Sequence, residues 1–250
     1  MKESAPPSST LDGLPEEIRE GLQRFALQLD AAADGRLVSL VLYGGLARGE
    51  YSPRTSDVNV MAVFREVPVG LLDLVLPLLE QAKREMDLAL MILDESDLAT
   101  SADLFPTKFR DIQRRHRLIC GRDMLGALEF TRERLKRQCA RQIQNLQMRL
   151  RQLYLKQARR PELLERALLD LVSPFLRDLA VVLELRTGAE PKTKAEIMDE
   201  AARLGLEVAA LRTLISLKTG APAPDSVALK KVYGEFMQTV DGTERLVQTL

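Results

Sequence analysis

The residues best suited to chemistry lie between Leu42 and Phe64, in the stretch LYGGLARGEYSPRTSDVNVMAVF. An apolar run ends there in Gly44-Gly45, and paired glycines let a backbone approach a ligand closely. Leu46-Ala47-Arg48-Gly49 then reads as the start of a short helix, whose free N–H groups would face an anion. Eleven residues separate Gly45 from Asp57. Asp57 and Asn59 alternate on the next strand, so both side chains point to one face. Asp87 opens a third strand and would come alongside them. Mg²⁺ takes oxygen ligands in an octahedron and shares them with substrate phosphates, so this donor set suits a metal-bound triphosphate. Two ions held by bridging carboxylates can stabilise both the attacking and the leaving oxygen of a phosphoryl transfer. Arg48 reads either as a phosphate contact or as a surface salt bridge. A plain structural alternative also stands: Gly44-Gly45 as a turn, with Asp57 and Asp87 as surface residues at strand ends.

The elements that must position these residues follow from hydrophobic period. Leu14 to Asp30 reads as a helix, with Pro15 in its first turn and Ile18, Leu22, Phe25 and Leu29 at helical spacing. Arg36 to Tyr43 is a buried strand that Gly44-Gly45 stops, and Val58 to Phe64 is a second. Val69 to Glu85 gives a helix, Asp87 to Leu93 a third strand, and Asp94 to Asp97 a polar turn. Arg117 to Cys120, closed by Gly121, reads as a short edge strand. From Leu125 the pattern is helical alone. Leu128, Leu135, Cys139, Ile143, Leu146, Leu150 and Leu153 predict one long amphipathic helix. Leu163 to Leu185 is apolar nearly all round, and Ser173-Pro174 should split or kink it. Shorter helices are punctuated by Gly188, Gly205 and Gly220, and a last helix runs from about Ser226 to Val247. The expected architecture is α+β: a loose tail over residues 1–13, an α/β domain with a small mixed sheet over 14–122, and an all-α helical bundle over 123–250.

At these residues the chain resembles the nucleotidyltransferase superfamily that includes DNA polymerase beta, kanamycin nucleotidyltransferase and the minimal nucleotidyltransferases. Tyr43 and Gly44-Gly45 match the start of that family's pattern, and Asp57-Val58 matches its middle. Ala47-Arg48-Gly49 and Ser56 match its bacterial branch, and Asp87 fits its third acidic position. The resemblance covers roughly residues 37 to 93. It implies Asp57 and Asp87 as metal ligands for Mg²⁺ or Mn²⁺, with Gly44, Gly45, Arg48 and Ser56 at the nucleotide. It further implies transfer of a nucleoside monophosphate from a triphosphate to an acceptor, and a helical bundle that often completes the acceptor site in a homodimer. One position departs from the pattern: Asn59 stands where the family has a second Asp or Glu. An amide oxygen brings no charge and cannot act as a base, so the resemblance implies a transfer that is weakened or lost. Glu50 and Asp94 are the carboxylates that could have taken over.

Composition bounds the remaining classes. The chain has 250 residues, 46% apolar and 29% charged, with a net charge of zero, an ordinary globular balance. No apolar run reaches the ~20 residues that cross a bilayer, and no apolar stretch follows the N-terminal Lys2, so a soluble cytoplasmic protein is expected. Cys120 and Cys139 form no spacing motif. Between Lys108 and Arg160, 16 Lys/Arg face 4 Asp/Glu, an excess of +12 that the rest of the chain offsets. That block keeps two alternatives in view. One is an RNA-binding module or other polyanion partner using residues 108–160. The other is a non-catalytic nucleotide-binding, regulatory or antitoxin-like interaction protein. The single histidine, His116, lies inside Arg-Arg-His-Arg and reads as an exposed member of the basic patch.

Overall fold

The computed structural model of the chain describes residues 8–49 and 57–250. They divide into two compact units, Met1–Glu129 and Phe130–Leu250.

The first unit is built on four strands: β1 (Leu37–Tyr43), β2 (Val58–Phe64), β3 (Leu88–Asp94) and β4 (Arg117–Gly121). Their order in the sheet is β3-β2-β1-β4. β2 pairs antiparallel with β1 and parallel with β3, and β4 closes the other edge antiparallel to β1. The parallel step needs a crossover, supplied by helix α2 (Val69–Met86), while helix α1 (Glu16–Ala33) precedes the sheet. Leu40, Leu42, Val58, Val60, Ala62, Phe64 and Leu88 share one core with Leu22, Phe25 and Leu29 of α1 and Leu71 and Val75 of α2. Strand residues alternate faces, so Val41, Met61 and Val63 lie on the other side, and they are fully buried too. A sheet covered on both faces explains why β1 and β2 read as continuous apolar runs rather than alternating ones.

Two helices in this unit escaped the sequence pattern: α3 (Asp97–Leu104) and α4 (Pro106–Arg114). Each is short; α3 buries Leu98 and Ala102, and α4 buries Pro106, Thr107, Phe109 and Ile112. Where a loose tail was expected, Ser8–Leu11 forms a 3-10 turn, with Leu11 in the core and the Thr10 hydroxyl donating to Leu118 O at 2.8 Å. The edge strand expected at Arg117 to Cys120 is present. Gly121 ends it with φ +82°, and a Cβ there would stand 2.2 Å from Val38 O.

The second unit is helical throughout: α5 (Arg132–Gln157), α6 (Pro161–Thr187), α7 (Lys194–Arg203), α8 (Ala209–Lys218) and α9 (Ser226–Gln248). The long amphipathic helix expected from Leu128 starts later, at Arg132, where the Thr131 hydroxyl accepts from Arg134 N–H as an N-cap. α6 corrects a second expectation, because it runs through Ser173-Pro174 as one continuous helix. Leu171, Val172, Phe175 and Leu176 are all buried around the proline, and that packing offsets the backbone bond the ring removes.

Candidate functional site

The strand order brings the sequence-predicted residues to one end of the sheet. β1 runs toward that end and β2 and β3 run away from it, so the C-terminus of β1 meets the N-termini of β2 and β3. Gly44 follows β1, Asp57 precedes β2, and Asp87 precedes β3.

Gly44 has φ +82°, a conformation that glycine reaches without penalty. Tyr43 pairs in register with Asn59, and a Cβ on Gly44 would touch Asn59 Nδ2 at 3.4 Å. The glycine turn therefore closes directly onto Asn59. The four residues after it form a hydrogen-bonded turn rather than the expected helix: Arg48 N–H donates to Gly44 O and Gly45 O, and Gly49 N–H to Leu46 O. Leu46 is buried in the sheet core and roots the turn. Ser56, expected at the nucleotide, and Glu50 lie outside the described residues.

Asn59 is half-buried on β2, with Ala89 beside it on β3, and its Nδ2 donates to Asp57 O at 3.1 Å. This bond occupies the amide nitrogen and leaves Oδ1 as the oxygen able to meet a cation. Asp57 is exposed. Asp87 does not open the third strand as expected. It caps the C-terminus of α2 with φ +51°, a left-handed conformation that aspartate tolerates better than most residues, and β3 starts one residue later. Its place beside Asp57 is kept all the same, because Val58 N–H donates to Asp87 O at 3.2 Å.

The substitute carboxylate does not come from Asp94. That residue ends β3, and at a rise of roughly 3.3 Å per residue it stands roughly 20 Å along the strand from Asp87. Its carboxylate instead accepts from the hydroxyl and the N–H of Ser96, which hold it below the usual carboxylate range. Among the described residues no group of three or more His, Cys, Asp and Glu side chains could hold a metal. By donor type alone, two carboxylates and one amide oxygen would suit a single Mg²⁺ or Mn²⁺ shared with phosphates rather than a pair of ions bridged by several carboxylates.

The sequence pattern missed the contribution of α4. Arg48 Nη1 donates to Asp111 Oδ2 at 2.9 Å, and Arg115 Nη1 donates to Asp111 Oδ1 at the same distance. Arg117 on β4 donates from Nε to Ala47 O at 3.3 Å and from Nη1 to Asp12 O at 2.8 Å. Lys108 Nζ lies 3.2 Å from Met91 Sδ on β3. The signal available in the sequence was Pro106 as a helix start, followed by Phe109 and Ile112 three apart.

These contacts also break up the basic segment. Arg115, Arg117 and Arg122 are each tied to an acceptor of the first unit, Arg122 to Glu95 at 2.9 Å. Arg132 onward belongs to α5 in the second unit. There, a surface concavity of ≈ 450 Å³ is lined by Tyr154, Lys156, Arg159 and Arg160, among others. His116 is not an exposed member of the patch: only 12% of its side chain is exposed. Its Nδ1 lies 3.1 Å and 3.0 Å from Ile112 O and Gln113 O, and its Nε2 lies 3.3 Å from Asp123. No described helix is long and apolar enough to cross a membrane.

No known family profile matches the chain, and no curated protein sequence matches it. A solved structure does. It is that of the spectinomycin adenyltransferase AAD(9) from Enterococcus faecialis, determined with ATP and spectinomycin. It superposes with a TM-score of 0.59 and 13% sequence identity, over 92% of this chain and 98% of that one. Such coverage takes in residues of both units, and at this identity the likeness is one of architecture. The chain has the fold of a nucleotidyltransferase, a mixed α+β sheet domain followed by a helical region.

Proposed function

We propose that the end of the sheet formed by Gly44, Gly45, Asp57 and Asp87 binds a metal-associated nucleoside triphosphate. We further propose that transfer of the nucleoside monophosphate to an acceptor is weakened or lost. The observation that carries this reading is the closure of the glycine turn onto Asn59, with Asp57 and Asp87 on the neighbouring backbone. The neighbour of like fold was solved with ATP and spectinomycin, which supports a nucleotide and an acceptor as the two ligands here.

In this reading Gly44 and Gly45 admit the phosphates close to the main chain, and Arg48 adds a positive charge beside them. Asp57, Asp87 and Asn59 Oδ1 hold the cation. The divalent ion supplies charge neutralisation and Lewis acidity to the phosphates when it is bound. Asn59 accounts for the weakened transfer. It withholds one negative charge from the metal, and its Oδ1 is too poor a base to take a proton from an attacking hydroxyl. Its Nδ2 bond to Asp57 O favours a second reading, that of a catalytically silent nucleotide binder acting through its surface.

Calorimetric titration with each NTP, with Mg²⁺ or Mn²⁺ present, tests both readings on wild type and Asn59→Asp. Metal-dependent binding by wild type is the expected result. Product formation by wild type would set the silent reading aside, and turnover gained only by Asn59→Asp would establish it. Absence of binding by both proteins refutes the nucleotide reading.

A further inference from the structure

We infer that Asp111 is a positioning residue for the glycine turn, holding residues 44–49 in the conformation that receives phosphate; this rests on the nucleotide reading of that site. The turn needs an external brace. Gly44 and Gly45 give it backbone freedom, and a single turn closed by three weakly cooperative hydrogen bonds is marginal alone. Leu46 roots its middle in the core and Ala47 packs against the same core, but Arg48 and Gly49 lie beyond that anchor.

Among the described residues two contacts brace the turn from outside β1 and β2. Arg117 on β4 holds the Ala47 carbonyl, and Asp111 on α4 holds the Arg48 guanidinium. α4 is itself fixed, since Phe109 and Ile112 are each only 2% exposed. The side chains of Asp111 and Arg48 are 12% and 23% exposed, well below the level at which ion pairs contribute nothing measurable. Asp111 also uses both of its oxygens. Arg115 occupies Oδ1, which fixes the plane of the carboxylate and aims Oδ2 at Arg48. Arg115 is thus the aligning partner and Asp111 the link to the turn.

Native-state hydrogen exchange on the full chain reads this without any ligand. In Asp111→Asn the amides of Arg48 and Gly49, which close the turn, should exchange about tenfold faster, as local opening becomes easier. The amides of Leu40 to Leu42 on β1 should not change. Arg115→Gln, which leaves the Arg48 pair in place, should accelerate the turn less than Asp111→Asn does. Unchanged exchange at Arg48 and Gly49 in Asp111→Asn overturns the inference. So does equal acceleration of β1, which would mean a general loss of stability. Titration with MgATP then separates this inference from the reading beneath it. If wild type binds, Asp111→Asn should bind about tenfold more weakly, and undiminished binding overturns the positioning role. If wild type fails to bind while the turn still loosens in Asp111→Asn, the nucleotide reading falls and the brace stands.

Discussion

In the first unit the apolar residues serve a register, and in the second they serve a volume. Leu40, Leu42, Val58 and Val60 are buried in strands whose pairing fixes which residues meet at the sheet end, so a slip by one would turn Asn59 away from Gly44. Leu168, Leu179, Leu183 and Phe236 are as deeply buried, but they fill one continuous helical core with no such dependent. Polar groups differ in the same way. At the sheet end Asn59, Asp57 and Asp87 sit on strand margins and are half-buried or exposed. Inside the bundle, polar groups are buried and bond to one another or to helix carbonyls, as when the Thr243 hydroxyl donates to Thr239 O at 2.8 Å. A register can carry chemistry because it places particular atoms, whereas a filled volume chiefly supplies stability.

The sharpest way to break the comparison is to empty the volume. Phe236 is fully buried and meets Phe175 edge-on, with ring centroids 5.3 Å apart. Phe236→Ala should cost about 3–5 kcal/mol. A urea titration followed by helical circular dichroism should show the loss as a lowered midpoint. Hydrogen exchange should find the amides of β1 and β2 less affected than those of α6 and α9. Equal loosening of β1 would mean that the two units do not differ as argued.

Glycines probe the register next. At Gly121 an alanine methyl would overlap Val38 O, in addition to strain of about 1–3 kcal/mol for a left-handed alanine. Gly121→Ala should therefore displace the end of β4 and lower the melting temperature clearly. Gly44 shares the same φ, but its Cβ would only touch the Asn59 amide, a side chain that can turn aside. Gly44→Ala should cost about 1 kcal/mol, with its larger effect on nucleotide affinity. A similar loss of melting temperature in both variants would contradict the distinction.

The two cysteines sharpen the contrast through pH. Burial, with Asp30 nearby, pushes the Cys120 thiol up from 9.0 to about 11. The folded state thus keeps its proton to a higher pH than the unfolded chain. The stability this contributes is complete below pH 9 and is lost as the pH rises from 9 through about 11. At neutral pH the thiolate should be about a hundredfold scarcer than in an unfolded chain, which slows alkylation by iodoacetamide to match. Cys139 is fully buried in the helical unit, so it should react later still, after global opening. Alkylation of Cys120 at the rate of a free thiol peptide would refute this burial.

How much of this was legible depended on how much apolar pattern each element carries. Val58–Phe64 was readable to the residue because seven consecutive side chains are nearly all buried. The glycine turn, Asp57 and Asp87 were legible through spacing, and the sheet order explains why such spacing brings them together. α4 was not, because nine residues with two large buried anchors give too few periods to stand out. Asp111 was invisible for a different reason. Its partner Arg48 lies 63 positions earlier in the chain, and no local pattern records so distant a pair. Pro174 misled because a proline penalises a helix by a fixed local amount, while the packing that outweighs it arrives from other helices.

The smallest expected effect tests whether polar pairing in the bundle is as dispensable as a filled volume implies. Tyr233 donates from its hydroxyl to Leu150 O at 3.0 Å and lies against Tyr154 with ring centroids 4.6 Å apart. Leu150 lies within α5, so its carbonyl keeps a helical partner when the hydroxyl is removed. Tyr233→Phe keeps the ring and leaves no orphaned acceptor, so its cost should fall at the low end of about 0.5–1.5 kcal/mol. A loss of about 3 kcal/mol would instead show that this bond organises the bundle as the register organises the sheet. The helical unit would then depend on a specific polar contact, and the contrast between the two units would narrow to one of degree.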